Sequence, residues 1–332
     1  MSHRCPSVEH VGSAAPTDVS GPSNTRLNVA NIAQEKERIV RQIRSEHANL
    51  LQDFPLDTYI AYLDGLPQYS PYRYVSPEML RICESISACG GETTLELYHK
   101  FLLITLIERA PERITRKKIP DSIRALYSEA FGRIISELAT NHQGFYLYRN
   151  DLFLKDLGIC RLRLIPAGAR LVHESGIPRR LLFCDGLSQF ARGLWFFLSK
   201  TRGFKPLYEI HVDPRSLGEF NPEGHDRFFL RMADLLELNP HVKGMFGESW
   251  FYDPELERVS PRLTYLHKRP VENGAKLFLG WTNEDLIKNA ILKSPTRRRL
   301  YEERQYRPTG YFMIWPRRAL ISWGQRSRAL AE

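Results

Sequence analysis

The hydrophobic pattern of the chain changes near Gly144, and this change constrains the fold more than any single motif. From Asn31 to about Gln52, apolar residues recur near helical spacing with charged residues between them, which predicts an amphipathic helix. Ser76-Pro77-Glu78 predicts a capped helix start with proline in the first turn, and a further helix is expected from Asp121. Residues 31–142 are therefore predicted to form a helical segment.

After Gly144 the chain carries short runs of aromatic and branched residues separated by turn signals, which are typical of an antiparallel meander. These runs are Phe145–Tyr148, Cys160–Ile165, Arg170–His173 and Arg180–Phe183. Beyond them, helix-like and strand-like segments alternate. The predicted helices are Leu187–Ser199, Gly224–Leu238, Leu256–His267 and Asn283–Gln305, and the predicted strands are Leu207–Val212, Val242–Phe246, Lys276–Leu279 and Tyr311–Trp315.

This order predicts an α/β (α+β) fold, with helices packed on one central sheet. The sheet is expected to be mixed, with the antiparallel meander followed by alternating helices and strands, and to carry an N-terminal helical layer. Residues 143–332 are predicted to be the α/β mixed-sheet domain. With 42% hydrophobic residues, the chain has enough apolar surface to bury a substantial core.

Composition also restricts where the protein works. Residues 1–30 are rich in Ser, Pro, Gly and Ala, which predicts a disordered leader with no secretory signal. A membrane-spanning helix needs roughly 18 to 20 consecutive apolar residues. No apolar run in the sequence is that long, so no membrane-spanning helix is expected. The five cysteines are scattered without a CxxC pair, which favours reduced thiols and a cytoplasmic protein.

The net charge of +9 is concentrated near the C-terminus, where residues 291–332 hold ten Lys and Arg against three Glu. This region combines the arginines of Ser294–Arg299 with Tyr306-Arg307-Pro308 and Trp315-Pro316-Arg317-Arg318, and arginines near aromatic residues suit nucleic acid or phosphate groups. A non-catalytic nucleic-acid or partner-binding protein is therefore one hypothesis, and a solvated arginine-rich surface is the structural alternative.

A dense set of polar residues ends the predicted strand Leu207–Val212. Strand alternation places Glu209, His211 and Asp213 on one face of that strand. An imidazole titrates near neutrality, so His211 is a candidate general base, with Glu209 or Asp213 orienting its other nitrogen. The alternative is structural, with His211 donating to Asp213 and both capping nearby backbone.

A second candidate follows the next predicted strand, in Gly244–Pro254. Glu248 offers a carboxylate and Tyr252 a phenol for proton transfer, beside glycines that permit close approach of a ligand. The structural alternative is that the aromatic residues here cover the sheet edge.

His211-x-Asp213 also has the spacing that opens the two-histidine, one-carboxylate triad of non-haem iron enzymes, with His267 as the distal ligand. Those enzymes place strands between their ligands, whereas Gly224–Leu238 is predicted to be a helix. A metal-dependent enzyme built on these three residues is thus an alternative hypothesis. The hypothesis favoured below involves no metal.

The order of predicted elements over residues 120–316 resembles that of GNAT-type acyltransferases, which bind acyl-CoA in a splayed sheet. This resemblance implies an Arg/Gln-x-x-Gly-x-Gly/Ala loop between the last meander strand and the next helix, where backbone N–H groups hold the pyrophosphate. The expected junction is Phe183–Gln189, which does not match this glycine pattern. Gly186 is the candidate for the tight turn, and Arg179, Arg180 and Arg192 are the candidates for phosphate binding.

The resemblance favours an acyltransferase that moves an acyl group from a CoA or carrier-protein thioester to an amine. Acyl-CoA is the implied co-substrate. In this hypothesis, His211 or Glu248 deprotonates the acceptor and Tyr252 protonates the leaving thiolate.

Overall fold

The computed structural model describes residues 29–140 and 143–330, which form two compact units. The first unit contains residues 29–65, Val75–Arg109 and Ser128–Cys160. The second contains Leu66–Tyr74, Ala110–Tyr127 and residues 161–330. Residues 1–28 of the predicted leader lie outside the described part, and Val29 and Ala30 already belong to the first helix. The predicted boundary at residue 142 adjoins residues 141–142, which also lie outside it.

Helices account for the regular structure described up to residue 160, as the sequence predicted for the N-terminal region. They are α1 (Val29–Glu46), α2 (Leu50–Asp53), α3 (Leu56–Asp64), α4 (Pro77–Glu108), α5 (Ala110–Thr115), α6 (Asp121–Leu138) and α7 (Asp151–Cys160). The predicted cap of α4 is present, because the Ser76 hydroxyl accepts a hydrogen bond from the backbone N–H of Met79. Gly91 interrupts α4 with a φ of 78°, a conformation that glycine adopts readily.

The second unit contains one six-stranded mixed sheet with the strand order β1-β2-β3-β4-β6-β5. Its strands are β1 (Ile165–Pro166), β2 (Arg170–Ser175), β3 (Leu207–Val212), β4 (Gly244–Ser249), β5 (Lys276–Leu279) and β6 (Tyr311–Pro316). Neighbouring strands pair antiparallel except β3 and β4, which are parallel. The predicted fold class is confirmed: a mixed sheet, an antiparallel start, and helices alternating with the later strands.

Helices cover both faces of this sheet. The α-helices that follow β2 are α8 (Gly186–Phe196), α9 (Pro222–Leu238), α10 (Leu256–Val259), α11 (Lys268–Glu272), α12 (Glu284–Leu292), α13 (Pro295–Glu302) and α14 (Arg317–Ala329). On one side, here called the α8 face, Phe246 and Phe312 of the sheet pack with Phe196 of α8. On the other side, the α9 face, the ring of Trp315 lies 5.1 Å from Phe229 and 5.6 Å from Trp323.

Two of the predicted meander strands are not strands. The first is Phe145–Tyr148, whose backbone bonds to side chains of α4 and not to another strand. The Tyr146 N–H donates to the Glu96 carboxylate, and the Tyr146 carbonyl contacts Nδ1 of His99 at 2.6 Å. Arg179–Phe183 forms a 3₁₀ helix after Pro178, and its Leu181 and Leu182 enter the core.

Other segments differ in their bounds. Of the predicted strand Cys160–Ile165, Cys160 ends α7, Leu162 has a positive φ of 57°, and only Ile165 enters β1. The predicted helix Asn283–Gln305 is divided into α12 and α13, because Ser294 and Pro295 start a new helix in which Ser294 caps the N–H of Arg297. The sequence analysis did not anticipate α14.

Candidate functional site

The parallel strands β3 and β4 pair only at Tyr208↔Met245 and Glu209↔Phe246, although each strand continues for three more residues. Both strands run in the same direction, so their unpaired halves lie at the same edge of the sheet. Pairing therefore stops in the middle of the sheet, and the two strands separate beyond Glu209 and Phe246.

Four titratable side chains project from the α8 face around this separation. His173 of β2 lies directly opposite Glu209 of β3, and paired residues share a face. His211 is two residues beyond Glu209, and Glu248 is two residues beyond Phe246, so alternation keeps both on that face. We call His173, Glu209, His211 and Glu248 the His–Glu cluster.

Within the cluster, the His173 ring lies between His211 and Glu209. Nε2 of His211 lies 2.9 Å from Nδ1 of His173, and the two rings stack with centroids 4.9 Å apart. On the other side of the His173 ring, Nε2 lies 3.8 Å from Oε2 of Glu209. The 2.9 Å contact between the two imidazoles can orient the outer ring, His211, whereas the 3.8 Å separation between His173 and Glu209 is longer than a hydrogen bond.

Burial is the main cause of the pKa shifts of His173 and Glu209. His173 is 1% exposed, and burial, assisted by the positive charge of Arg163, lowers its pKa to about 4. His173 is therefore neutral at pH 7, and one ring nitrogen remains available to accept a proton. Burial also raises the pKa of Glu209, against a hydrogen bond from Ser175 that lowers it.

Glu248 stands on the other side of the strand separation. The Glu248 side chain is exposed, but partial desolvation by the surrounding protein and the nearby charge of Glu209 raise its pKa to about 7, while Arg180 acts in the opposite direction. The guanidinium of Arg180 lies over the Trp281 ring, 4.2 Å from its centroid. A carboxyl group with this pKa exchanges a proton near neutral pH, which suits an acid or a base.

The segment Leu66–Tyr74 covers part of the cluster. The Tyr72 ring meets the His211 ring edge-on, with centroids 4.7 Å apart. Arg163 holds this segment by donating to the Ser70 hydroxyl at 2.8 Å. Sequence analysis did not single out His173, Tyr72 or Arg163, because their proximity to His211 depends on strand register and on this distant segment.

Tyr252, predicted to act with His211 and Glu248, lies on the α9 face instead. Its hydroxyl is 2.6 Å from the position that a Cβ on Gly247 would take, and Gly247 points away from the face that carries Glu248. Tyr252 is also buried next to Arg170, whose charge lowers its pKa against the larger, raising effect of burial. The structure thus separates Tyr252 from the two residues with which it was expected to work.

The predicted phosphate-binding residues Arg179, Arg180, Gly186 and Arg192 lie in α8 and in the 3₁₀ helix just before it. Arg179 is exposed, and Arg192 lies 3.8 Å from Asp185 in an ion pair at the surface. Gly186 begins α8 with a φ of 65°, so it does supply the tight turn. Of the three arginines, Arg180 is the one whose charge acts on Glu248.

A second junction between a strand and a helix is the segment Asp213–Asn221. It connects β3, the last of the three antiparallel strands β1 to β3, with α9. It reads Arg215-Ser216-Leu217-Gly218-Glu219-Phe220, so it matches the Arg-x-x-Gly half of the loop expected for GNAT-type enzymes and departs from it at Phe220. Arg180–Phe183 was interpreted as the last meander strand, and for that reason the expected loop was sought after it, at Phe183–Gln189.

This junction is held by local contacts. The carboxylate of Asp213 accepts from the N–H of Arg215 and pairs with its guanidinium at 3.0 Å. Asn221 caps α9 by accepting from the N–H of Gly224, whose lack of a side chain lets the Glu219 carbonyl pack against it.

The expected iron ligands His211, Asp213 and His267 are not a group whose ligand atoms lie close enough together for a metal. Asp213 is engaged by Arg215, and Nδ1 of His267 lies 3.3 Å from the Phe251 carbonyl. In the described part of the chain, the group with ligand atoms close enough for a metal is His173, Glu209 and His211, all within 4.8 Å of one another. His211 belongs to both sets, and strand alternation turns it toward Glu209 and His173.

Several C-terminal arginines are engaged within the protein. Arg297 is buried, donates to the Ser260 hydroxyl at 2.9 Å and lies over Trp250. Arg299 pairs with Glu303, and Arg328 with Asp234. These contacts remove part of the positive surface that the nucleic-acid hypothesis needs. Among the described helices, none has the length and hydropathy of a membrane span.

Comparison with known proteins found similarity to two solved structures. An acyltransferase mutant in complex with octanoyl-CoA aligns at 12% identity over 85% of this chain and 100% of that one, with a TM-score of 0.43. An acyltransferase in complex with CoA and 10C-teicoplanin aligns at 13% identity over 81% and 87%, also with a TM-score of 0.43. No protein-family sequence model and no curated protein matches the chain. Both of these structures are acyltransferases, the enzyme class that the predicted order of elements resembles.

Proposed function

We propose that this protein transfers an acyl group from a CoA or carrier-protein thioester to an amine. The observation that carries the proposal is the position of the His–Glu cluster at the point where β3 and β4 stop pairing. Backbone groups left open by separated strands can bind an extended ligand arm, as a sheet edge binds a peptide. A pantetheine arm placed there brings its thioester between His211 and Glu248.

In this mechanism His211 is the general base. It takes the proton from the attacking amine as the nitrogen forms its bond to the thioester carbonyl. His173 holds the His211 ring through the 2.9 Å contact between their nitrogens, and Glu209 stabilises the positive charge that forms. General bases of this type contribute roughly 10²- to 10⁴-fold to the rate.

Glu248 is the general acid in this mechanism, in the place first assigned to Tyr252. When the carbon–sulfur bond breaks, protonated Glu248 gives its proton to the leaving thiolate, and the proton held by His211 then restores Glu248. Because the acid must be protonated and its pKa is about 7, kcat/KM is expected to fall as the pH rises above 7.

The phosphates of CoA are assigned to the junction Asp213–Asn221. The positive end of the α9 dipole favours anions at this junction. Gly218 has open space at its Cβ position, which allows close approach of a phosphate to the backbone.

Binding is tested first, by thermal-shift titration with acetyl-CoA and a long-chain acyl-CoA and with ADP as the anion control. Saturable stabilisation by the thioesters beyond that by ADP is expected. Equal shifts with all three compounds contradict a CoA site.

Turnover is then tested by thiol release with a panel of amines. His211→Gln is expected to lower kcat at least 100-fold, and Glu248→Gln to remove the alkaline fall of kcat/KM along with part of the rate. His241→Gln, at a half-exposed histidine that pairs with Glu174 rather than with a member of the cluster, is the matched control and should retain wild-type activity. Full activity in the His211→Gln variant refutes the mechanism.

A second candidate, a metal-dependent enzyme, is favoured by the ligand spacing of His173, Glu209 and His211. Two imidazoles and a carboxylate suit zinc or iron, and Nε2 of His173 is buried without a hydrogen bond in the described structure. Metal analysis of the purified protein and titration with Co²⁺ separate the two functions. A stoichiometric ion that His173→Asn removes together with activity supports the metal enzyme, and undiminished thiol release after chelation excludes it.

A further inference from the structure

The helix α8 presents apolar side chains on both of its sides. Toward the sheet it contributes Phe196 to the core, and Gly193 lets Leu182 and Phe278 pack closely against the helix. Toward solvent it exposes Leu187 at 85% and Trp195 at 71%. Packing on the sheet therefore accounts for one side of α8 and leaves the other uncovered.

The uncovered side forms a continuous stripe. Leu187, Ala191 and Trp195 are four residues apart, so they share one side of the helix, and Leu198 follows in the π-helical turn that extends it. Phe183, just before the helix, is 67% exposed and Leu198 is 63% exposed. We call Phe183, Leu187, Ala191, Trp195 and Leu198 the α8 stripe.

Positive charge surrounds the stripe. Residues 179–202 contain five cationic side chains, at Arg179, Arg180, Arg192, Lys200 and Arg202. Against them stands one acidic residue, Asp185, which pairs with Arg192. The segment thus has a net charge of +4, from 5 − 1.

This combination restricts the partner. A second copy of the chain docked symmetrically on the stripe would bring two sets of these cations together, which is unfavourable. An exposed apolar helix side with Trp, Leu and Phe and a border of Lys and Arg instead has the character of helices that lie in the plane of a membrane surface. The partner that matches both the apolar stripe and the charge is an anionic phospholipid surface.

We infer that α8 docks the protein on anionic phospholipid membranes, with the α8 stripe among the headgroups and the flanking cations on the lipid phosphates. The inference uses the exposed side of α8 and none of the chemistry of the His–Glu cluster, so it does not depend on the proposed acyl transfer. Binding of this kind requires no helix that crosses the bilayer.

The test is flotation of the purified full-length chain with vesicles of phosphatidylcholine alone and of phosphatidylcholine with 30% phosphatidylglycerol. Binding is expected to the anionic vesicles and to fall at least tenfold in 0.5 M NaCl. The double variant Leu187→Ser/Trp195→Ser should lose at least tenfold in the bound fraction. The control Leu238→Ser/Leu292→Ser removes two leucines that are 43% and 49% exposed in other helices, and it should bind like the wild type.

A second measurement does not depend on disruptive variants. Brominated lipids in the anionic vesicles should quench tryptophan emission of the wild type, and Trp195→Phe should remove most of that quenching. No binding to anionic vesicles, or equal quenching in Trp195→Phe, refutes the inference. A dimeric mass in light scattering that becomes monomeric in the double variant also overturns it, because a second copy then covers the stripe.

Discussion

The buried histidine His99 makes a sharp prediction about stability and pH. His99 is fully buried in α4, with Nδ1 2.6 Å from the Tyr146 carbonyl and its ring stacked on Phe153 at 4.9 Å. Burial lowers its pKa from 6.5 to about 4. The unfolded chain therefore binds a proton between these two pH values that the folded chain does not, so stability is complete above pH 6.5 and falls as the pH drops.

The size of the effect follows from the shift. A difference of about 2.5 pKa units corresponds to roughly 3.4 kcal/mol once the pH is below 4. Between pH 7.5 and 5.5, the share of His99 is about 1.3 kcal/mol of unfolding free energy. His173 and His225, with pKa values lowered to about 4 and about 3, add losses in the same direction, so a variant is needed to isolate His99.

The assay is urea unfolding at pH 7.5, 6.5 and 5.5, followed by circular dichroism and by fluorescence to check that both transitions coincide. In His99→Gln, the loss of stability from pH 7.5 to 5.5 should be about 1.3 kcal/mol smaller than in the wild type. Phe153→Leu removes packing from the same stack without a titrating group, so it should lower stability equally at each pH. An unchanged pH dependence in His99→Gln refutes the reasoning.

Three further substitutions test the packing that shapes the two units. Asp156→Asn removes the buried partner of Arg133, 2.7 Å away, and should cost about 3 kcal/mol in urea unfolding; a loss below about 0.5 kcal/mol contradicts this. Gly224→Ala places a Cβ 2.0 Å from the Glu219 carbonyl, so it should lower the melting temperature and weaken CoA-dependent thermal shifts, and an unchanged shift argues against the assigned phosphate site. Gly91→Ala forces alanine into φ 78°, ψ −179°, which should cost about 1–3 kcal/mol in chemical unfolding; equal or greater stability refutes the claim of strain.

The candidate site shows which residues a sequence can predict. Polar residues at strand ends singled out His211 and Glu248, and alternation placed Glu209 beside His211, since a strand's period of two follows from its geometry alone. His173 was missed because its place opposite Glu209 depends on the register between β2 and β3. A register one residue different would turn His173 to the other face.

Tyr252 and the segment Arg215–Gly218 illustrate the same limit at longer range. Tyr252 follows β4 in a 3₁₀ turn, and this turn carries its ring to the α9 face. The Arg215–Gly218 spacing was readable in the sequence, but the structure was needed to place it at the junction between β3 and α9.

For the fold, the sequence alone determined the helical N-terminal region, strands β3 to β6 in position and the mixed α/β class, because hydrophobic period and turn residues act locally. A short apolar run such as Leu181–Phe183 is compatible with both a buried strand and a short helix, and only packing against the sheet decided between them. The tertiary structure alone decided the order β4-β6-β5, the early end of the β3–β4 pairing and the approach of Tyr72 to His211. Each of these joins residues far apart in the chain, and the free energy that selects them comes from burial in the assembled core, which local sequence pattern does not record.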